Sequence, residues 1–180
     1  MSDLSALTPG TWNVDGSHST VEFSVRHLMI AKVRGRFTDI SGSVTVGADP
    51  LQSSLTASVR TGSVSTNDDG RDGHLRSADF FDSEQFPEMS LASTGLEARG
   101  SSYILHSTLT IKSVSKPVDW TLDFEGVATD PWGNTKAGFS ARAEVNRKEW
   151  GLEWNAPLET GGVLVGETVT LSLEIELVRA

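Results

Sequence analysis

The sequence predicts an all-β domain whose strands each have one apolar and one polar face, and three observations carry that reading. Apolar residues recur at every second position through five separate stretches. Glycine, proline and asparagine fall between those stretches. And 180 residues without a cysteine are enough to bury a core unaided, so the fold needs neither disulfides nor a thiolate-bound metal.

The stretches follow one another along the chain. Val21, Phe23 and Val25 alternate with Glu22, Ser24 and Arg26. Further strands are expected near 33–46, 55–60 and 89–97. Tyr103, Leu105, Leu109 and Ile111 share a face opposite His106, Thr108 and Thr110. Val118, Trp120, Leu122 and Phe124 alternate with Asp119, Thr121, Asp123 and Glu125. Ala137, Phe139, Ala141, Ala143 and Val145 face away from Ser140, Arg142 and Glu144, and Val169, Leu171, Leu173, Ile175 and Leu177 repeat the pattern. Successive side chains of a strand point to opposite faces, so each stretch is dry on one side and wet on the other. Turn residues lie at 47–50, 95–101, 131–134 and 161–162. One stretch departs from the pattern. In 67–88, Leu75, Ala78 and Phe81 sit near helical spacing, which predicts a short helix beginning around Asp72 and lying within about 70–82. These elements form one domain over 1–180, about eight strands in all, with 1–10 expected as a poorly ordered N-terminal segment.

Strands with a single dry face have two solutions, two sheets packed face to face or one sheet closed upon itself. Periodicity does not choose between them. A closed sheet of about eight strands would stand roughly 25 Å tall and suit a long, thin ligand.

Fifteen basic against twenty-four acidic residues give a net charge of −9. Such a chain is repelled by phosphate backbones and anionic surfaces, which argues against a nucleic-acid partner. The charges are scattered, with no basic run to overrule the average. No apolar stretch approaches the ~20 residues of a membrane span. The opening MSDLSALTPGTW has neither a basic nor an apolar leader region, so the expected location is cytoplasmic.

Residues able to carry chemistry are few. No HxH, HExxH, GxSxG, GxGxxG or P-loop pattern occurs, and the expectation is no metal, no cofactor and no catalytic residue. His106 is expected to be solvated and His27 to be structural. His18 and His74 admit a structural role, a contact to a ligand head group, or service as a general base. Arg71, Arg76, Arg147 and Lys148 could meet a carbonyl or phosphate, or else pair with Asp68, Asp69, Asp72, Asp79 or Glu149. Phe80, Phe81 and Phe86 read as a plug on the core or a lid over an entrance. Trp150 and Trp154, with Gly151 between them, suggest a bend near a sheet end where indole N–H groups find partners. The inward aromatic and aliphatic residues either line a cavity or simply fill a core.

Four segments read together resemble the YceI-like family. TWNVDGSHSTVEFSVRHLMIAKVRGRFTDISGSV carries Trp12, Asp15, His18, Ser19, His27, Leu28, Gly35 and Phe37 in the family's order. RDGHLRSADFFDSEQFPEM, LTIKSVSKPV, and NRKEWGLEWN followed by GGVLVGETVTLSLEIEL resemble its later elements. The resemblance runs from about Trp12 to Leu177. It implies a lipocalin-like antiparallel β-barrel with one short helical insertion, holding an isoprenoid quinone or a polyprenyl lipid. The ligand wall would then comprise Phe23, Val25, Phe37, Phe81, Leu105, Leu109, Trp120, Leu122, Phe124, Phe139, Leu171 and Leu173, with His18, Arg71, His74 and Arg147 as head-group contacts. The partner implied is an isoprenoid lipid or quinone, with a homodimer an allowed assembly. Two departures stand out: Ser113 replaces a glycine common in the family, and the leader that many members carry is not seen. Two other readings stay open, an enzyme with His18 or His74 as base, and a stress-related structural protein whose barrel is filled by side chains.

Overall fold

The alternating stretches pair edge to edge, each antiparallel to its neighbour. The structure, a computed structural model, describes residues 3–180. Its strands are β1 (Gly10–Val14), β2 (Thr20–His27), β3 (Ala31–Phe37), β4 (Ile40–Val46), β5 (Ser54–Arg60), β6 (Val64–Ser65), β7 (Glu88–Arg99), β8 (Ser102–Ile111), β9 (Val114–Thr129), β10 (Thr135–Asn146) and β11 (Val165–Arg179). A single α-helix among the described residues, α1, spans Asp69–Arg76.

Register turns these segments into a closed ring. Strand β11 is long enough to hold two partners end to end, β1 at Trp12↔Arg179 and β2 at Phe23↔Leu171. On their other edge β1 and β2 meet β4 and β3, at Trp12↔Val44 and Val25↔Val33. So β1 and β2 are one stave broken at 15–19, and β3 and β4 another broken at 38–39. The break at 38–39 is pinned by Ser63 Oγ, which accepts from the Thr38 and Asp39 amides at 3.1 Å each. The stave of β5 and β6 is interrupted by the turn Thr61–Ser63. With β7 to β11 these make an eight-stave antiparallel barrel, the lipocalin-like solution and not the sandwich. The stretch expected as one strand near 33–46 is thus two.

Helix α1 starts earlier than Asp72 and ends before 82. The Asp68 carboxylate accepts from the Arg71 amide at 2.8 Å, satisfying one of the amides that a helix start leaves free. At the far end Ser77 Oγ donates to the His74 carbonyl at 2.6 Å, and successive turns carry the chain on to Phe86.

Side chains inside the barrel form two clusters. The larger contains Phe37, Leu105, Leu109, Trp120, Phe80, Phe81 and Trp150. The smaller closes the lower end with Trp12, Val46, Phe124, Ala137 and Leu177, over which Leu4 and Leu7 pack. The segment expected to be poorly ordered is therefore a stopper from Asp3 onward. Its Leu4–Ala6 turn is capped by Asp3, and burying a leucine is worth about 1.5–3 kcal/mol. Trp12, fully buried, donates its indole N–H to the Thr8 carbonyl at 3.0 Å. Among the described residues no helix is long and apolar enough to cross a membrane.

Candidate ligand cavity

The barrel is not filled. A cavity of about 560 Å³ runs between the lower stopper and α1, within the ~300–1,000 Å³ usual for sites that hold a small organic ligand. Its wall takes in Phe23, Val25, Phe37, Phe81, Leu105, Leu109, Trp120, Leu122, Phe139, Leu171 and Leu173. Phe124 points inward but stays outside the wall. Its ring packs 5.1 Å from that of its cross-strand partner Phe139, and Phe139 takes the exposed place. The wall also holds residues not named from sequence as ligand contacts, among them Met89, Leu91, Val145, Trp154 and the stopper residues Leu4 and Leu7. Met89 and Leu91 carried the right signal, alternation within 89–97; Leu4 and Leu7 carried none.

Local chemistry keeps this wall apolar. Trp120 donates its indole N–H to Ser107 Oγ at 3.0 Å, and Ser107 donates in turn to the Val118 carbonyl at 2.7 Å. The ring is left with its apolar surface towards the cavity and no unpaired polar atom. Trp150 reaches the Leu109 carbonyl at 3.0 Å, and Gly151, at φ 79°, ends the turn before it in the left-handed region. Gly35 is required by its neighbour: a Cβ there would lie 2.3 Å from Phe23 Cζ, so a side chain would push the Phe23 ring off the wall.

The upper end lies between α1, the β2–β3 hairpin and the loop 152–165. It is lined by Arg71, His74, His27, Arg147, Trp154 and Leu164. Arg71 is exposed, so this end meets solvent. Its guanidinium donates to Thr66 Oγ1 at 2.7 Å and to the Thr66 carbonyl at 2.9 Å, while Thr66 donates to the buried Asp72. His74 lies 2.8 Å from Asp79, with its ring edge-on to Trp154 at 4.5 Å. Phe80 and Phe81 are buried beneath, a plug that also forms part of the wall.

Arg147 differs from the other cations. It is 6% exposed and donates to the carbonyls of Gly166, Leu152, Trp154 and Val165 at 2.8, 2.6, 3.0 and 3.4 Å. Burial pushes its pKa below the ordinary arginine value, partly offset by Glu167; the guanidinium remains charged. Nearly all its donors are spent on backbone, which makes it a clamp on the loop. The expected pairs with Asp68, Asp69, Asp72, Asp79 and Glu149 do not form for these cations: Lys148 instead meets Glu167 at 2.8 Å and Arg76 the Gly62 carbonyl at 3.0 Å.

Arg71, His74 and Arg147 thus gather at one end, and His18 does not join them. It sits at the break between β1 and β2, mostly exposed, 2.9 Å from Asp15 and 3.5 Å from Glu176. The family resemblance offered it as a head-group contact, but at the break its ring faces outward, mostly exposed. One ligand atom from each of Asp15, His18 and Glu176 lies within 4.8 Å of the others. The Lys136 ammonium already contacts both carboxylates, at 3.1 and 2.6 Å, and takes the charge a metal would bring. Hydrogen bonds from Ser17, then His18, with Lys136 adding to them, hold the Asp15 carboxyl well below the usual range. A depressed carboxylate stabilises fully above its ordinary pKa near 4 and loses that contribution progressively as pH falls from there through the lowered value it has in the fold. Asp15→Asn should therefore cost about 1–2 kcal/mol at pH 7, with the gap to wild type closing below about pH 4. Thermal melts across pH check this; a gap constant into strong acid would refute it. His106 is not merely solvated: it lies 2.7 Å from Asp119, whose hydrogen bond raises its pKa.

Three comparisons bear on this architecture. The family model described as YceI-like domain matches residues 12–177. A UPF0312 protein of Staphylococcus aureus (strain bovine RF122 / ET3-1) is 31% identical over 164 residues, 90% of this chain and 94% of that one. Among solved structures, BcnA of Burkholderia cenocepacia superposes with a TM-score of 0.76 at 20% identity, covering 91% of this chain and 98% of BcnA. A polyisoprenoid binding domain from Saccharophagus degradans, implicated in plant cell wall breakdown, gives 0.73 at 13% identity, covering 96% and 100%. At those identities the two structures speak to the fold.

Proposed function

The chain belongs to the YceI-like domain family, and from that premise we propose that it holds a long isoprenoid lipid, a quinone or a polyprenyl lipid, inside its barrel. The observation that carries this is the apolar cavity of about 560 Å³ running from the lower stopper to α1. A structural protein with a filled barrel would have no such space. The name of the similar Saccharophagus degradans domain supports the same ligand class. Burying a dozen methylenes would contribute roughly 10 kcal/mol gross at ~0.8 kcal/mol each, before the cost of ordering the chain. Contact alone can then hold a prenyl tail, with Arg71 and His74 left for the head group. The protein would act as a carrier, store or protector, in the cytoplasm, without turning its ligand over. His18 lies off the wall, which leaves a barrel-bound substrate out of its reach as a base.

Organic extraction of the purified protein and mass spectrometry should yield an isoprenoid lipid. Quinones should quench emission from Trp120, Trp150 and Trp154, all in the wall. Affinity should rise severalfold with each buried methylene until the cavity is full. A quinone should respond little to salt and a polyprenyl phosphate strongly, since only the latter pairs with Arg71. If neither quinones nor the polyprenyl phosphate bind and no lipid copurifies, the isoprenoid reading fails.

A further inference from the structure

The β2–β3 hairpin presents two features that the barrel does not use. Its tip, Leu28, Met29 and Ile30, is 40%, 53% and 82% exposed, three consecutive large apolar side chains on a convex projection. Val163 continues the apolar surface: Leu28 N donates to the Leu164 carbonyl beside it at 2.9 Å, and Val163 is itself exposed. Behind the tip, the outward face of the hairpin carries Arg26, Lys32, Arg34 and Arg36. Pairing sets Arg26 across from Lys32 and Arg34 across from Ser24, with Glu22 opposite Arg36 the one acid on that face. All four cations are exposed, and none is in an ion pair among the described residues. A search of the sequence for basic runs misses them, because alternation and antiparallel pairing bring them together.

The turn does not demand these apolar residues. Leu28 and Met29 have φ of 54° and 61°, a conformation that asparagine and glycine adopt more easily. The β8–β9 hairpin also turns on two left-handed residues, and there they are Lys112 and Ser113. Apolar side chains at the β2–β3 tip therefore need a reason other than the backbone.

We propose that this hairpin docks on an anionic phospholipid bilayer, with Leu28, Met29 and Ile30 entering the interface and Arg26, Lys32 and Arg34 resting at the head groups. Lys32 follows Ile30 by two residues, about 7 Å along a strand, which matches the ~5–10 Å depth at which interfacial segments sit. A convex tip suits a bilayer, where a folded partner would have to offer a groove. The net charge of −9 does not forbid this, since charges farther than about 8 Å from the surface are screened at physiological ionic strength. Docking would lay the upper end of the cavity against the membrane, because its wall reaches the same hairpin just behind its tip, at Arg26 and His27. An apolar ligand could then pass between bilayer and barrel without crossing water. That purpose rests on the ligand reading above; the docking itself does not.

The test is cosedimentation with vesicles of phosphatidylcholine alone, and of phosphatidylcholine and phosphatidylglycerol in equal parts, at low and physiological ionic strength. Wild type should partition to the anionic vesicles and not to the neutral ones, and partition should fall with salt. Lys32→Ala and Arg34→Ala should each lower it about fivefold, and Ile30→Asp at least about tenfold. Trp132→Ala, at an 82% exposed tryptophan in the β9–β10 turn at the other end of the barrel, should change nothing. Quinone quenching in detergent should be unaltered in Ile30→Asp and Lys32→Ala, neither of which is in the wall. Equal partition to both vesicle types, or a loss in Trp132→Ala as large as in Ile30→Asp, would overturn the proposal. So would a dimer in sedimentation equilibrium that Ile30→Asp dissociates, because the tip would then be a contact between copies. Absent partition with intact quinone quenching removes docking alone; intact partition without quenching removes the ligand reading alone.

Discussion

Arg147→Met should lower the stability of the protein by about 3–5 kcal/mol, the cost expected when a buried hydrogen-bonded cation leaves its acceptors unpaired. Four carbonyls lose the guanidinium at once, those of Leu152, Trp154, Val165 and Gly166, and Val165 keeps a second donor, Asn155 Nδ2 at 2.7 Å. Two of them belong to the loop between Trp150 and β11 and two to the start of β11, so that loop should loosen from the strand and ligand should exchange faster through the upper end. Arg147→Lys should recover only a fraction. A lysine keeps the charge, but its donors radiate from one atom and cannot match the planar fork that reaches carbonyls on both sides of the loop. The measurement is the urea midpoint with an unchanged denaturant slope, together with the rate of quinone release. A loss under about 1 kcal/mol would mean that water replaces the guanidinium and that the clamp is dispensable.

Ala141→Trp should reduce quinone affinity by about a hundredfold, some 2–3 kcal/mol, while the barrel stays folded. Ala141 pairs with Leu122 on β9 and Leu173 on β11, and all three are in the wall. An indole at this point would occupy the middle of the cavity, where a prenyl tail has to pass. Filling empty space usually costs less than overpacking a full core, for which about 1–3 kcal/mol is typical. Little change in melting temperature with a large loss of quenching is the expected pair of results. Unchanged affinity in a folded variant would place the ligand outside the central section.

Particular residues show how far sequence reading reached. Trp120, Leu105 and Leu171 were legible because a strand side chain has only two directions, and its apolar neighbours at i±2 declare which one is dry. The same rule put Phe124 inward, correctly, yet it missed the cavity because Phe139 covers it, a packing outcome between two strands. His18, offered as a head-group contact by the family resemblance, lies at the break between β1 and β2 and not in the wall, a placement that the pairing of β11 with both strands accompanies. Arg147 reads in sequence as a cation for a ligand head group or an acidic neighbour; carbonyls at 152, 154, 165 and 166 make it a buried clamp. The basic face of the β2–β3 hairpin was hidden by its own alternation.

By itself, then, the sequence determined the period, the dry faces, the turns between them and the lack of any cysteine. Its resemblance to a family determined the expected barrel. Tertiary structure alone decided that the sheet closes, that its interior stays hollow at about 560 Å³, and which polar residues meet at its upper end. The division has a physical cause. Side-chain direction along a strand is a local property with a period of two residues, written wherever the chain is extended. Closure, hollowness and the gathering of Arg71, His74 and Arg147 depend on the registers of eight successive stave pairings at once, and a shift of one residue in any pairing would turn the dry face of a stave outward.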